Sequence, residues 1–178
     1  MILILGEFED AEKALIKAEE MCRELMKEEE ADEEEIERET GIIRVQLGFA
    51  IQMQNSDRDR QAQGIYNSVL KSKPADIGLV AVASNNLVTL NKDQNIFDSK
   101  KRIKAATAEG VEHKLTTVHR AAIARNNALL AMYTNQVDLC KNLINELSND
   151  FGDDYYDKEN RNLIMAGVLA RSGKCVLL

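Results

Sequence analysis

One proline, Pro74, stands in a chain of 178 residues. It follows a stretch in which Ala62, Tyr66 and Val69 carry the spacing of one helix face. Proline has no N–H to donate, and its ring pushes the preceding residue, Lys73, out of helical geometry. A helix reaching this point must end and the chain must turn. The same spacing of three or four recurs along the sequence. Ala11, Leu15, Ala18, Cys22 and Leu25 mark a helix over Glu7 to Met26. Ile42 to Gln54 pairs with Ala62 to Leu70, Ile77 to Leu90 with a weaker Asn95 to Lys104, and Thr116 to Tyr133 with Val137 to Leu147. A last helix runs from about Tyr156 to Arg171. The links "NSDRD", "NKDQN" and "TNQ" are short and polar, which makes the helices they join antiparallel neighbours. An all-α fold follows, and an aromatic content of 4% without Trp suits it better than a sheet.

Helical hairpins at a near-constant period predict a solenoid. In the tetratricopeptide repeat, a helix pair of about 34 residues, small residues sit where helices cross, a larger one fills the groove a turn later, and a proline closes the second helix. Ala62, Tyr66, Val69 and Pro74 fit that second helix. The expected architecture is a tetratricopeptide-repeat-like, right-handed α-solenoid of antiparallel helix pairs. Residues 1–26 form a partial repeat, 27–40 an acidic insertion and 41–74 a repeat. Residues 75–115 form an irregular repeat with a loop-like insertion at "AATAEGVEHK", 116–149 a repeat and 150–178 a truncated one, with "NDFGDD" as a link. The ends look cut, as in a piece of a longer protein.

Lys27 to Glu39 holds nine acids and two bases, which equals the whole formal net charge of −7 and leaves the rest neutral. Such a block reads as a solvated loop or an exposed helical extension, with docking of a basic partner as the other option. A neutral body is a poor match for a phosphate backbone. Cys22, Cys140 and Cys175 are an odd set without a CxxC pair, suited to a reduced, cytoplasmic protein in which each serves as a small apolar residue. His113 and His119 lie near no cysteine, so no metal site is expected. "MILIL" is too short for a signal peptide and no apolar run reaches the roughly 20 residues of a membrane span, so no membrane insertion is expected.

"NKDQNIFDSKK" and "ALLAMYTNQ" carry a more specific signal. Leu70 to Leu143 closely resembles the tetratricopeptide-repeat region of the 72 kDa subunit family of the signal recognition particle, and the likeness covers essentially the whole chain, loosest in the acidic insertion. The resemblance implies a protein-binding scaffold whose partner is a segment near the C-terminus of the 68 kDa subunit, in co-translational targeting to the endoplasmic reticulum. It also implies that the particle's 7S RNA is held elsewhere, by a basic C-terminal region.

In a repeat of this kind the first helices line the concave side. With the register fixed by Pro74, the inward positions are Arg44, Leu47, Ile51 and Gln54, then Ala81, Asn85, Val88 and Thr89, then Ala122, Arg125, Leu129, Met132 and Tyr133. An apolar groove with a few polar fixing points suits a helix laid in a groove. The competing reading makes Leu47, Ile51 and Leu129 ordinary core residues. A carboxylate clamp needs Lys and Asn where Leu47 and Ile51 stand. No catalytic residue, cofactor or metal is expected. "GVLARSGKC" has one residue too many between its glycines for a phosphate loop and a Cys where Ser or Thr must hold magnesium. "CVLL" at Cys175 to Leu178 fits a prenylation box but lacks a polybasic second signal. Lys100, Lys101, Arg102 and Lys104 form the basic cluster of an exposed helix face, or alternatively a contact to RNA or the ribosome.

Overall fold

The computed structural model describes residues 6–54, 56–155 and 158–171. Every regular element among them is a helix, as predicted. The chain forms two compact units, Met1–Leu90 and Asn91–Leu178.

In the first unit α1 (Phe8–Glu28) packs along α3 (Gly41–Gln54), and α3 forms a hairpin with α4 (Asp59–Lys71) through a short 3-10 turn at Ser56–Arg58. Val45, Leu47 and Ile51 of α3, Ala62, Tyr66 and Val69 of α4, and Leu79, Ala83 and Leu87 of α5 (Ile77–Asn91) make one core, with Leu15 of α1 packed against it. Tyr66 is fully buried. Its hydroxyl donates to Gln52 Oε1 at 2.9 Å and accepts from Asn86 Nδ2 at 3.2 Å, so its one polar atom is satisfied from both sides. Ala62 is closed from solvent, and Gly48 of α3 also comes close to α4. A Cβ there would lie 2.8 Å from the Tyr66 ring.

The exit at Pro74 takes Lys73 out of helical geometry, as expected. Lys73 is left-handed, with φ 51°. Glu30 and Asn135 take the same conformation at the ends of α1 and of α7 (Thr117–Tyr133). In those two places the following N–H also reaches back, from Ala31 to Met26 O at 3.0 Å and from Gln136 to Ala131 O at 2.9 Å. These are Schellman ends. After α4 only the inner bond forms, from Lys73 N–H to Leu70 O at 3.3 Å, because proline stands where the outer donor would be. The Asp76 carboxylate then accepts from the N–H groups of Gly78 and Leu79 and opens α5.

The acidic stretch is more ordered than the solvated loop or extension expected for it. Asp32 accepts from Glu35 N–H at 2.9 Å and caps a short helix, α2 (Glu33–Glu39). Ile36 and Thr40 are buried. Arg23 reaches Glu19, Glu33 and Glu37, and Arg44 reaches Glu37 and Glu19. The local negative charge is neutralised where it meets the body, while Glu33, Glu34, Glu35 and Glu39 face water.

The second unit starts where Asn91 Nδ2 donates to Asp98 at 3.0 Å and Ser99 at 3.2 Å, closing the "NKDQN" link onto α6 (Ile96–Ala106). Part of the expected insertion is a 3-10 turn, Val111–Lys114, entered through Gly110 at φ 83° and anchored by buried Val111. The α7–α8 hairpin follows. Helix α8 runs Val137–Tyr155, so "NDFGDD" continues the helix instead of breaking it, and α9 is Lys158–Arg171. Ala128 and Ala131 face Cys140, Ile144 and Leu147, and Ile164 and Val168 of α9 complete this core. Cys140 behaves as the small apolar residue expected. Burial pushes its thiol pKa up, and Sγ donates to Ala128 O at 3.3 Å. Among the described residues no helix is long and apolar enough to cross a membrane.

A candidate partner-binding hollow

The inward positions assigned from the sequence divide sharply. On α3, Leu47 and Ile51 are 8% and 1% exposed and belong to the core. Helix α1 lies over this face because its own apolar stripe needs cover. Arg44 is accordingly drawn into the Glu37 and Glu19 ion pairs and donates to Ser68 Oγ at 3.1 Å. Gln54 donates to Phe8 O at 3.2 Å and to Glu12 at 2.7 Å. On α5, Ala81, Asn85 and Val88 are buried, and Thr89 accepts from Gln52 at 2.8 Å. The α3 side chains among these hold the first unit together.

On α7 the outcome is different. Arg125, Leu129 and Met132 come together along one wall of an open hollow of about 460 Å³, whose other wall is Leu163, Ile164 and Gly167 of α9, with Asn126 between. Sequence reasoning did not assign the α9 wall. Its signal was the pair Leu163 and Gly167, four apart on one helix face, with a glycine inside a helix as a mark of close approach. A Cβ on Gly167 would stand 2.7 Å from Met132 Sδ, so the missing side chain gives Met132 its place. Arg125 is exposed, Leu163 is 69% exposed, and Leu129 and Met132 are half-buried. Just beyond, the Arg171 guanidinium lies 5.8 Å from the centroid of the half-exposed Tyr133 ring. The surface is thus flexible and apolar in the middle, with cations on its margin. Such a surface can accept apolar side chains of an extended or helical segment and, beside them, a carboxylate.

Gly167, the first residue of the weak phosphate-loop match, lies within α9. The rest of that match after Arg171, and the "CVLL" terminus, lie outside the described residues. In the basic cluster, Lys100, Lys101 and Lys104 are exposed on α6, while Arg102 pairs with Asp98 at 3.3 Å.

Helices throughout the described residues, two hairpins (α3–α4 and α7–α8) and an open apolar hollow on one unit define an all-helical protein. Comparison with curated proteins gives the family. The chain is 46% identical over 139 residues to signal recognition particle subunit SRP72 of Homo sapiens, 38% over 141 residues to that of Schistosoma mansoni and 34% over 140 residues to that of Caenorhabditis elegans. The matches cover 78% to 79% of this chain. It belongs to the family of signal recognition particle SRP72 subunits. The matched stretch is about a fifth of the length of these relatives (20% to 22%). No protein-family model matches it.

Proposed function

We propose that this chain is a non-enzymatic, protein-binding segment of a cytoplasmic signal recognition particle. Its hairpins stack as a tetratricopeptide-like, right-handed solenoid, and it holds a segment near the C-terminus of the 68 kDa subunit during targeting of nascent proteins to the endoplasmic reticulum. The observation that carries this reading is the hollow between α7 and α9. Leu129, Met132 and Leu163 leave apolar surface open to solvent beside the exposed charge of Arg125. A partner segment that buries apolar side chains there, with an acidic residue toward Arg125, satisfies both features. Of the remaining inward positions, Arg44, Leu47, Ile51 and Gln54 serve this reading as the frame of the first unit, while Asn85 and Val88 are buried on α5.

The test is to mix the chain with the C-terminal segment of the 68 kDa subunit and measure the mass of the complex in solution. A one-to-one complex is expected, weakened by Arg125→Glu. A chain that stays alone at concentrations well above micromolar contradicts the proposal.

A further inference from the structure

Phe97 is 86% exposed, the highest value among the exposed large hydrophobic residues described. It sits on α6 at the head of a row, Phe97, Lys100, Lys101 and Lys104, spaced i, i+3, i+4 and i+7 and therefore on one face. The opposite face, Ser99, Ile103 and Ala106, is buried and fixes the helix against its unit. Asp98, the acid within α6, is already held by Asn91 and Arg102. Among the described residues the three lysines carry no ion pair. The second unit as a whole is close to balance, with 13 Lys and Arg against 11 Asp and Glu.

We propose that this face binds single-stranded nucleic acid, Phe97 stacking on an unpaired base while Lys100, Lys101 and Lys104 neutralise flanking phosphates. A flat ring fully in water beside loose ammonium groups is the pairing that single-strand binders use, because every base offers a π-face and every linkage a charge. An acidic peptide would satisfy the lysines and leave the ring uncovered. A lipid surface would need more apolar area than one side chain supplies.

Fluorescence anisotropy of the whole chain with labelled 12-nucleotide oligouridylate, as RNA and as its deoxy counterpart, tests this across a salt series. Binding is expected to weaken with salt at a log–log slope of about −2, from roughly 0.7 per phosphate for three contacts. Phe97→Ala is expected to weaken it about five-fold or more with the slope unchanged. Lys100→Ala with Lys104→Ala should reduce the slope by about 1.4. All these positions face solvent, so circular dichroism should match the parent chain. The tighter of the two oligonucleotides identifies the natural source. The proposal is overturned if Phe97→Ala binds like the parent, if a duplex of equal length binds as well, or if oligoglutamate or anionic vesicles compete as effectively as the oligonucleotide.

Discussion

Gly48 and Gly64 sit on the two helices of one hairpin and answer to different neighbours. A Cβ on Gly48 meets the Tyr66 ring at 2.8 Å, and that ring is fully buried with its hydroxyl held at both sides. A Cβ on Gly64 meets nothing within 4 Å. Overpacking costs about 1–3 kcal/mol, whereas alanine in a helix is favoured over glycine by about 1 kcal/mol. Gly48→Ala is therefore expected to lower the urea midpoint and Gly64→Ala to raise it. Equal shifts would show that the α3–α4 crossing is looser than described. The row Ala62, Tyr66, Val69 and Pro74 was legible because each residue type announces its own demand. Gly48 was not, since a glycine in a helix does not say whether anything is close, as Gly64 shows.

Helix α2 was hidden by its own charge. A block of acids ordinarily repels itself into solvent, and only the pair Asp32 and Glu35, capping residue and first-turn acid, with Ile36 next to it, hinted at order. What overturns the repulsion is long-range. Arg23 on α1 and Arg44 on α3 converge on Glu37. Burial alone would raise the Glu37 pKa, but the hydrogen bond from Arg23 and the charge of Arg44 hold it below the usual carboxylate range. Glu12 is held low chiefly by its hydrogen bonds from Arg58, at 2.6 and 2.7 Å. For a carboxyl lowered by folding, the stabilisation is complete above its unfolded pKa, about 4.3, and is lost as pH falls through the folded value. Stability is thus expected to drop on acidification below about pH 4.5. Glu37→Gln should remove about 1–2 kcal/mol at neutral pH and shallow that drop. Urea unfolding from pH 7 to pH 3 checks both. A Glu37→Gln profile parallel to the parent's would show that the arginines do not lock α2 in place.

The α3–α4 and α7–α8 hairpins were readable from their links, because chains of a few polar residues leave no other route. Half of the hollow was readable too. Arg125, Leu129 and Met132 follow from the periodicity of α7, but the second wall depends on where α9 lies, which no local pattern states. The α3 positions show the limit of a uniform register. Helix α1 must cover its own apolar stripe, and in doing so it closes the α3 face that the repeat template leaves open. The claim on which the function rests is that the α7–α9 hollow receives the partner. Leu163 is its most direct probe, since it lines the hollow yet is 69% exposed and lies outside the core. Calorimetric titration of the 68 kDa subunit's C-terminal segment into the chain and into Leu163→Glu decides it. At least tenfold weaker binding by the variant, a loss of about 1.4 kcal/mol or more, with unchanged helicity is the expected result, and equal affinity would contradict the claim.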